Sequence, residues 1–229
     1  PAIENSIATA VGDQMFNYAG FFVQYWDQMP TANQYNDLAE LHIDEGSDLF
    51  NRCYSNLYAQ ALQDVEDVRT KTQNTSDIFA AKVLRAQAFQ YLVDNLDQCP
   101  YTEALQASAN AMPAWDEGKT VYEGVLAEID EAEANMTGEA MTVTDPLLNK
   151  SISQWKGYAN ALRLRMYMRL IDGGCAEYQS KAQALVNANN FFTGDVAWDV
   201  YSDAQGQRNP WGAIFYEGTL AGTKHHCAA

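Results

Sequence analysis

The chain has 229 residues, with 30 acidic side chains against 14 basic ones and a formal net charge of −16. Outside Arg163, Arg165 and Arg169 the basic residues do not cluster, so the footprint that a polyanion requires is missing, which excludes nucleic acid as a partner. Hydrophobic residues make up 47% of the chain, ample for a core at this length, yet the longest apolar runs, such as residues 18–23, fall far short of the ~20 residues that cross a bilayer.

In chain order, residues 3–10 suggest a short helix. Val11, Met15, Tyr18, Phe22 and Tyr25 then recur at helical steps and predict a second one over Gln14 to Trp26. From Asp27 to Ser47 the periodicity dissolves into a polar loop with Pro30 and isolated aromatics, and a loop of that length in a compact domain is more often functional than accidental. Asp48 opens the next predicted helix, with Phe50, Tyr54, Leu57, Ala61, Val65 and Val68 on its stripe. A short polar connection leads to the helix around which the chain is organised, Ile78 to Leu96, where small residues (Ala80, Ala81, Ala86, Ala88) alternate with large ones. Pro100 forbids its continuation.

Thr120 followed by Glu123 reads as a capping box for a helix running to Met136. Ser151 or Ser153 caps another over Trp155 to Ile171 that is apolar almost all round and closed by Gly173-Gly174. Its arginines, in a largely buried helix, should pair with acids such as Glu131 or Asp94. Tyr178, Ala182 and Leu185 mark one more short helix, and residues 191–220 read as irregular, aromatic and Gly-rich. The expectation is therefore an all-α chain, one domain over 1–229, with antiparallel helical pairs at about 48–96 and 120–171 in a tetratricopeptide-like arrangement.

The segments LRAQAFQYLVDN (84–95), PYTEAL (100–105), Pro113-Ala114-Trp115-Asp116, VYEGVLAEIDEAEANM (121–136) and SQWKGYANALRLRMYMRL (153–170) follow in an order that resembles the SusD/RagB family of nutrient-binding lipoproteins, in its SusD-like branch. The resemblance covers about half of the chain. It implies a SusD fold, a place on the outer face of the outer membrane, and attachment through an N-terminal lipid not present in this chain. It also implies a SusC-like TonB-dependent transporter barrel as partner, and capture of a glycan or peptide without catalysis. Family members run to about twice this length, so the chain is expected to be the N-terminal half.

Beside the resemblance, the residues carry little reactive chemistry. No P-loop, GxGxxG, HExxH or Glu-x-x-His pattern occurs; neither a cofactor nor a metal is expected. His42 reads as a solvated loop residue, and His225, His226 and Cys227 as an incidental chain end. Cys53 and Cys99 read as small buried hydrophobes. Three Asn-x-Ser/Thr sequons, at Asn74, Asn135 and Asn149, are taken as chance matches.

The positive signal is aromatic residues in loops: Trp26, Tyr35, Trp198, Tyr201, Trp211 and Phe215 are the candidate ligand-binding residues. Their flat faces complement the C–H faces of sugars, with Gln24, Gln28, Asn33, Gln34, Asn36, Asp203, Gln207 and Asn209 placed to supply hydrogen bonds. These aromatics would equally cover the core or meet a protein partner. Two rival readings stand beside nutrient binding: a helical-repeat scaffold for protein segments, and a glycan-processing enzyme using one of many accidental carboxylate pairs.

Overall fold

The computed structural model describes residues 1–28, 30, 35–217 and 226–227, with residues 215, 216, 226 and 227 described by their backbone alone. Helix α1 (Ala2–Ala10) passes through a π-helical turn (Val11–Met15) into α2 (Phe16–Phe22), so the expected pair of helices is one continuous stretch. It ends four residues earlier than the periodicity suggested, in a Schellman motif. The Tyr25 N–H donates to the Gly20 carbonyl at 2.8 Å and the Gln24 N–H to that of Phe21 at 2.9 Å, with Gln24 in the left-handed region at φ 57°. Strand β1 (Trp26–Asp27) follows, and α3 (Asn36–Ala39) lies inside the segment expected to be wholly irregular.

Helix α4 (Asn51–Ser55) leads through a second π-helical stretch (Asn56–Leu62) into α5 (Gln63–Lys71). The start falls at Asn51 instead of Asp48 because Phe50 sits at φ 65°, a conformation that cannot propagate a right-handed helix. Helix α6 (Thr75–Leu96) begins three residues before the expected Ile78, since the Asn74 side chain caps it by accepting the Asp77 N–H at 3.0 Å. Strands β2 (Gln98–Cys99) and β3 (Asp116–Glu117) pair antiparallel, Gln98 opposite Glu117. They close the loop between them at its base, and helix α7 (Gly118–Ala134) issues directly from β3. The expected capping box is consequently not formed. The helix starts before Thr120, and Glu123 accepts a hydrogen bond from the Tyr178 hydroxyl at 2.7 Å.

Helix α8 (Ile152–Asp172) takes Ser151 as its N-cap and ends in a second Schellman motif with Gly174 at φ 95°. Helices α9 (Gln179–Ala188) and α10 (Pro210–Tyr216) and strand β4 (His226–Cys227), which pairs with β1, complete the described chain. No described helix is long and apolar enough to cross a membrane.

Backbone contacts group the chain into two units, residues 1–4 with 58–197 and residues 5–57 with 198–229. In the first, α6 packs beside α5, α7 and α8, and α8 packs beside α9. Phe79, Val83, Phe89, Leu92, Ile129, Trp155 and Met166 form its buried interior. The small residues of α6 do what their pattern predicted: Ala86 and Ala88 are fully buried, which lets neighbouring helices approach closely. Two close approaches require glycine. A Cβ on Gly118 would meet the Asp97 carbonyl at 2.5 Å, and one on Gly157 would meet the Phe192 backbone nitrogen at 2.2 Å.

Charges in this unit are paired by helix packing. Arg163, almost fully buried, reaches Asp130 at 2.9 Å and Glu133 at 2.8 Å, and Arg169 reaches Asp94 at 2.7 Å. Asp94 was an expected partner; Asp130 and Glu133 take the place of Glu131, because they flank it on the helix face turned to α8. Arg165 departs from the expectation. It is exposed and donates a 3.4 Å hydrogen bond to Gln90 Oε1. Arg85 and Lys82 converge on Glu128, whose carboxyl they hold below its ordinary range against the opposing effect of burial. Cys53 and Cys99 are buried free thiols, as expected, and burial pushes them up to about 12 and about 11 respectively.

Candidate functional site

In the second unit, Tyr18, Phe21 and Leu38 form a small buried cluster, with Trp26, Tyr35, Ala39, Leu49 and Phe50 packed against it. This cluster accounts for one candidate residue directly. Tyr35 lies 5.1 Å from the Phe21 ring and 6.4 Å from Tyr18, and its backbone N–H donates to Gln28 Oε1 at 3.0 Å. Gln28 is itself buried and also donates to Asn36. Two of the polar residues expected to meet a ligand in the first loop, Gln28 and Asn36, are therefore bonded to each other in holding that loop together, while Gln24 is exposed. Asn33 and Gln34 lie outside the described residues, as does the side chain of Phe215.

Trp26 folds back across α2, its indole nitrogen 1.2 Å from where a Gly20 Cβ would stand, so glycine is what makes room for the ring. Its ring lies 5.0 Å from Trp211 and 5.6 Å from Phe16, and Trp211 meets Phe16 edge-on at 4.9 Å. The structure thus brings two of the predicted aromatics, 185 positions apart in the chain, into one partly exposed cluster. Trp26 and Trp211 each give one ring face to the other. Trp198 is half-buried with its indole N–H buried and making no hydrogen bond among the described residues.

The remaining candidate, Tyr201, lines an open cleft of about 320 Å³ together with Ser202, Asp203, Arg208, Asn209 and Gly212. Local chemistry explains the cleft. The Ser202 N–H donates to the Gln207 carbonyl at 2.9 Å, and the Ser202 hydroxyl to Gln207 Oε1 at 2.8 Å, closing a tight loop that needs Gly206 at φ 74°. Asn209 then caps α10 by accepting the Gly212 N–H at 2.6 Å, and Pro210 occupies the first helical position, where its missing N–H costs nothing. Helix α10 thus stands in a segment expected to be irregular, and the Asn-Pro pair is the local signal that marks its start. Arg208 is the single basic residue between positions 191 and 220. It reaches Asp203 Oδ1 at 3.2 Å and Glu217 Oε1 at 3.5 Å. Tyr201, Asp203 and Asn209 stood out in the sequence, whereas Arg208, Ser202 and Gly212 did not, because their relevance depends on the loop closing.

The cleft presents a phenol ring, a carboxylate, an amide and a guanidinium at one rim. Burial alone raises the Tyr201 hydroxyl above its ordinary range, so it is a neutral hydrogen-bonding group at neutral pH. Another open cleft, of about 380 Å³, lies on α7, α8 and α9 around Arg163 and Tyr167. Its arginine is committed to Asp130, Glu133 and Asn160. Among the described residues no group of three or more His, Cys, Asp or Glu side chains is placed to hold a metal ion.

The SusD-like family profile described as "Starch-binding associating with outer membrane" matches residues 2–216. No curated protein matches the chain. Among solved structures, a SusD/RagB family protein from Bacteroides thetaiotaomicron superposes with a TM-score of 0.74 at 20% identity, covering 96% of this chain and 49% of the other. A SusD homologue from Bacteroides uniformis gives 0.67 at 21% identity, covering 100% and 50%, and a chitin-binding protein gives 0.63 at 24% identity, covering 85% and 44%. The chain spans about half the length of the structures it matches. With helix packing of the SusD fold and a family match along nearly its whole length, the chain belongs to the SusD-like family, whose description is starch-binding and associated with the outer membrane.

Proposed function

We propose that the protein captures a glycan or peptide at the cell surface and delivers it to a SusC-like TonB-dependent transporter, over whose barrel it sits, held to the membrane by an N-terminal lipid. The observation that carries the binding half of this reading is the cleft at Tyr201, where an aromatic ring and unspent polar groups of Asp203 and Asn209 share one rim. Sugar sites use this combination because ring faces complement C–H faces while carboxylates and amides satisfy hydroxyls. The Trp26 and Trp211 pair extends aromatic surface within the same unit, with Trp211 directly preceding Gly212 of the cleft. The chitin-binding protein among the similar structures supports a glycan over a peptide.

A protein-binding role is favoured by a separate feature. The loop between β2 and β3 is pinned from inside, Asp116 accepting from the Tyr101 and Thr102 N–H groups at 2.9 Å and Glu103 from the Ala114 N–H at 3.0 Å. It holds Met112 (89% exposed) and Trp115 (57%) out to solvent. Large apolar side chains on an anchored loop suit a protein partner, whether the transporter or, in the alternative reading, a peptide segment held by a helical scaffold.

Mild-detergent extraction of the native protein from its outer membrane, with mass spectrometry of what accompanies it, tests the transporter. A large β-barrel companion is expected, and a solitary soluble protein would overturn the delivery reading. Titration of tryptophan fluorescence with oligosaccharides and with peptides tests the cargo.

A further inference from the structure

We infer that the Tyr201 cleft selects an uncharged, hydroxyl-rich glycan and rejects glycans bearing carboxylate or sulfate groups, an inference that rests on the binding function proposed above. Among the described residues Arg208 is the cation of the cleft, and two carboxylates already hold it, Asp203 at 3.2 Å and Glu217 at 3.5 Å. One guanidinium held by two carboxylates, Asp203 of the lining and the neighbouring Glu217, leaves that ion cluster net negative among the described residues, and the −16 chain around it adds to the repulsion of an anion. An incoming uronate or sulfate therefore finds its natural partner occupied and a surplus carboxylate beside it.

A neutral sugar finds the opposite. Asp203 is fully exposed and uses Oδ1 for Arg208, so Oδ2 is available to accept. Asn209 spends its Oδ1 on the Gly212 N–H, which leaves its NH₂ as a donor. No hydrogen bond from the Tyr201 hydroxyl is present among the described residues, and its ring lines the same cleft. A carboxylate acceptor next to an amide donor matches adjacent hydroxyls, each of which can donate to one and accept from the other, while the ring takes a C–H face. A charged acceptor-only ligand can use the amide but must face the carboxylate.

The test is a glycan array of neutral, uronate and sulfated oligosaccharides probed with the full chain, followed by calorimetry with maltohexaose, chitohexaose and hexagalacturonate. Binding of a neutral oligosaccharide at least tenfold tighter than any anionic one is expected. Asp203→Asn should cost roughly tenfold to a hundredfold in that affinity, as loss of a hydrogen bond to a charged group does, and should narrow the gap to the uronate. Asn209→Asp keeps the helix cap but replaces the amide donor by a charged acceptor, and should likewise weaken the neutral ligand. Tighter binding of an anionic glycan overturns the inference. A neutral ligand whose affinity neither variant changes leaves nutrient binding standing and removes this cleft as its site. A blank array removes the glycan-binding reading and this inference with it.

Discussion

Asp145 is the side chain on which the approach to α8 depends, and replacing it by asparagine separates its charge from its shape. One carboxylate oxygen accepts the Leu147 and Leu148 N–H groups, both at 3.0 Å; the other accepts the Lys150 N–H at 2.8 Å and the Trp155 indole N–H at 2.7 Å. Asp145 is 5% exposed and Trp155 1%, so water cannot replace a lost partner. Asparagine keeps one acceptor and turns an NH₂ toward the other two donors. Two hydrogen bonds to a charged acceptor are lost, roughly 1.5–3 kcal/mol each. The opposing effect is relief of Glu4, a buried carboxyl beside Asp145 that is pushed up to about 7. Burial is the first cause of that shift and Asp145 a lesser one, so the relief recovers only a fraction, on the order of 1 kcal/mol. The net expectation is a destabilisation of about 2–5 kcal/mol, which lowers the urea midpoint by roughly 1 M or more at an m-value of about 2 kcal/mol/M. Urea titration by circular dichroism reads the size, and hydrogen exchange of peptides covering residues 145–160 reads the place. A change below about 1 kcal/mol, or loss of protection elsewhere with residues 145–160 untouched, would refute the reasoning.

Further outcomes follow from other residues. Glu4 has its folded-state pKa raised from 4.5 to about 7, chiefly by burial, with the Pro1 nitrogen at 3.1 Å opposing. A raised acid favours the protonated folded form, so its penalty is absent below about pH 4.5 and grows to at most about 3 kcal/mol as pH rises to 7. Glu4→Gln should remove that part of the pH dependence, with melting temperatures from pH 4 to 8 as the measurement. Arg163→Ala should cost about 2–3 kcal/mol by denaturant titration, since the guanidinium is buried while Asp130 can regain water, whereas Arg165→Ala should stay within about 0.5 kcal/mol. Gly20→Ala places a methyl in the Trp26 ring and should red-shift and quench tryptophan emission, despite the higher helix propensity of alanine; unchanged emission would mean that the ring does not lie there.

Legibility in the sequence followed the range of the interaction concerned. Helices α6, α7 and α8 were readable because each pattern needs only residues three or four apart, and the small residues named on α6, Ala80, Ala81, Ala86 and Ala88, are all buried. The family motifs share that local character, which is why they also identified the fold. Local polar signals were less dependable. Asn74 and Ser151 cap as their positions allow, yet Thr120 and Glu123 form no box, because β2–β3 pairing starts α7 at Gly118 and Tyr178, 55 positions away, claims the glutamate.

Among the candidate site residues the same division holds. Aromatic character put Trp26, Tyr35, Tyr201 and Trp211 on one footing in the sequence, and only three-dimensional packing separated them. Tyr35 turns into the Tyr18–Phe21 cluster, Trp26 and Trp211 face each other over Gly20, and Tyr201 opens onto a cleft. By itself the sequence determined the long helices, how much charge the chain carries and to which family it belongs. Tertiary structure decided which polar groups remain unspent, because a hydrogen-bonding group is available to a ligand only after every neighbour in space has made its claim on it.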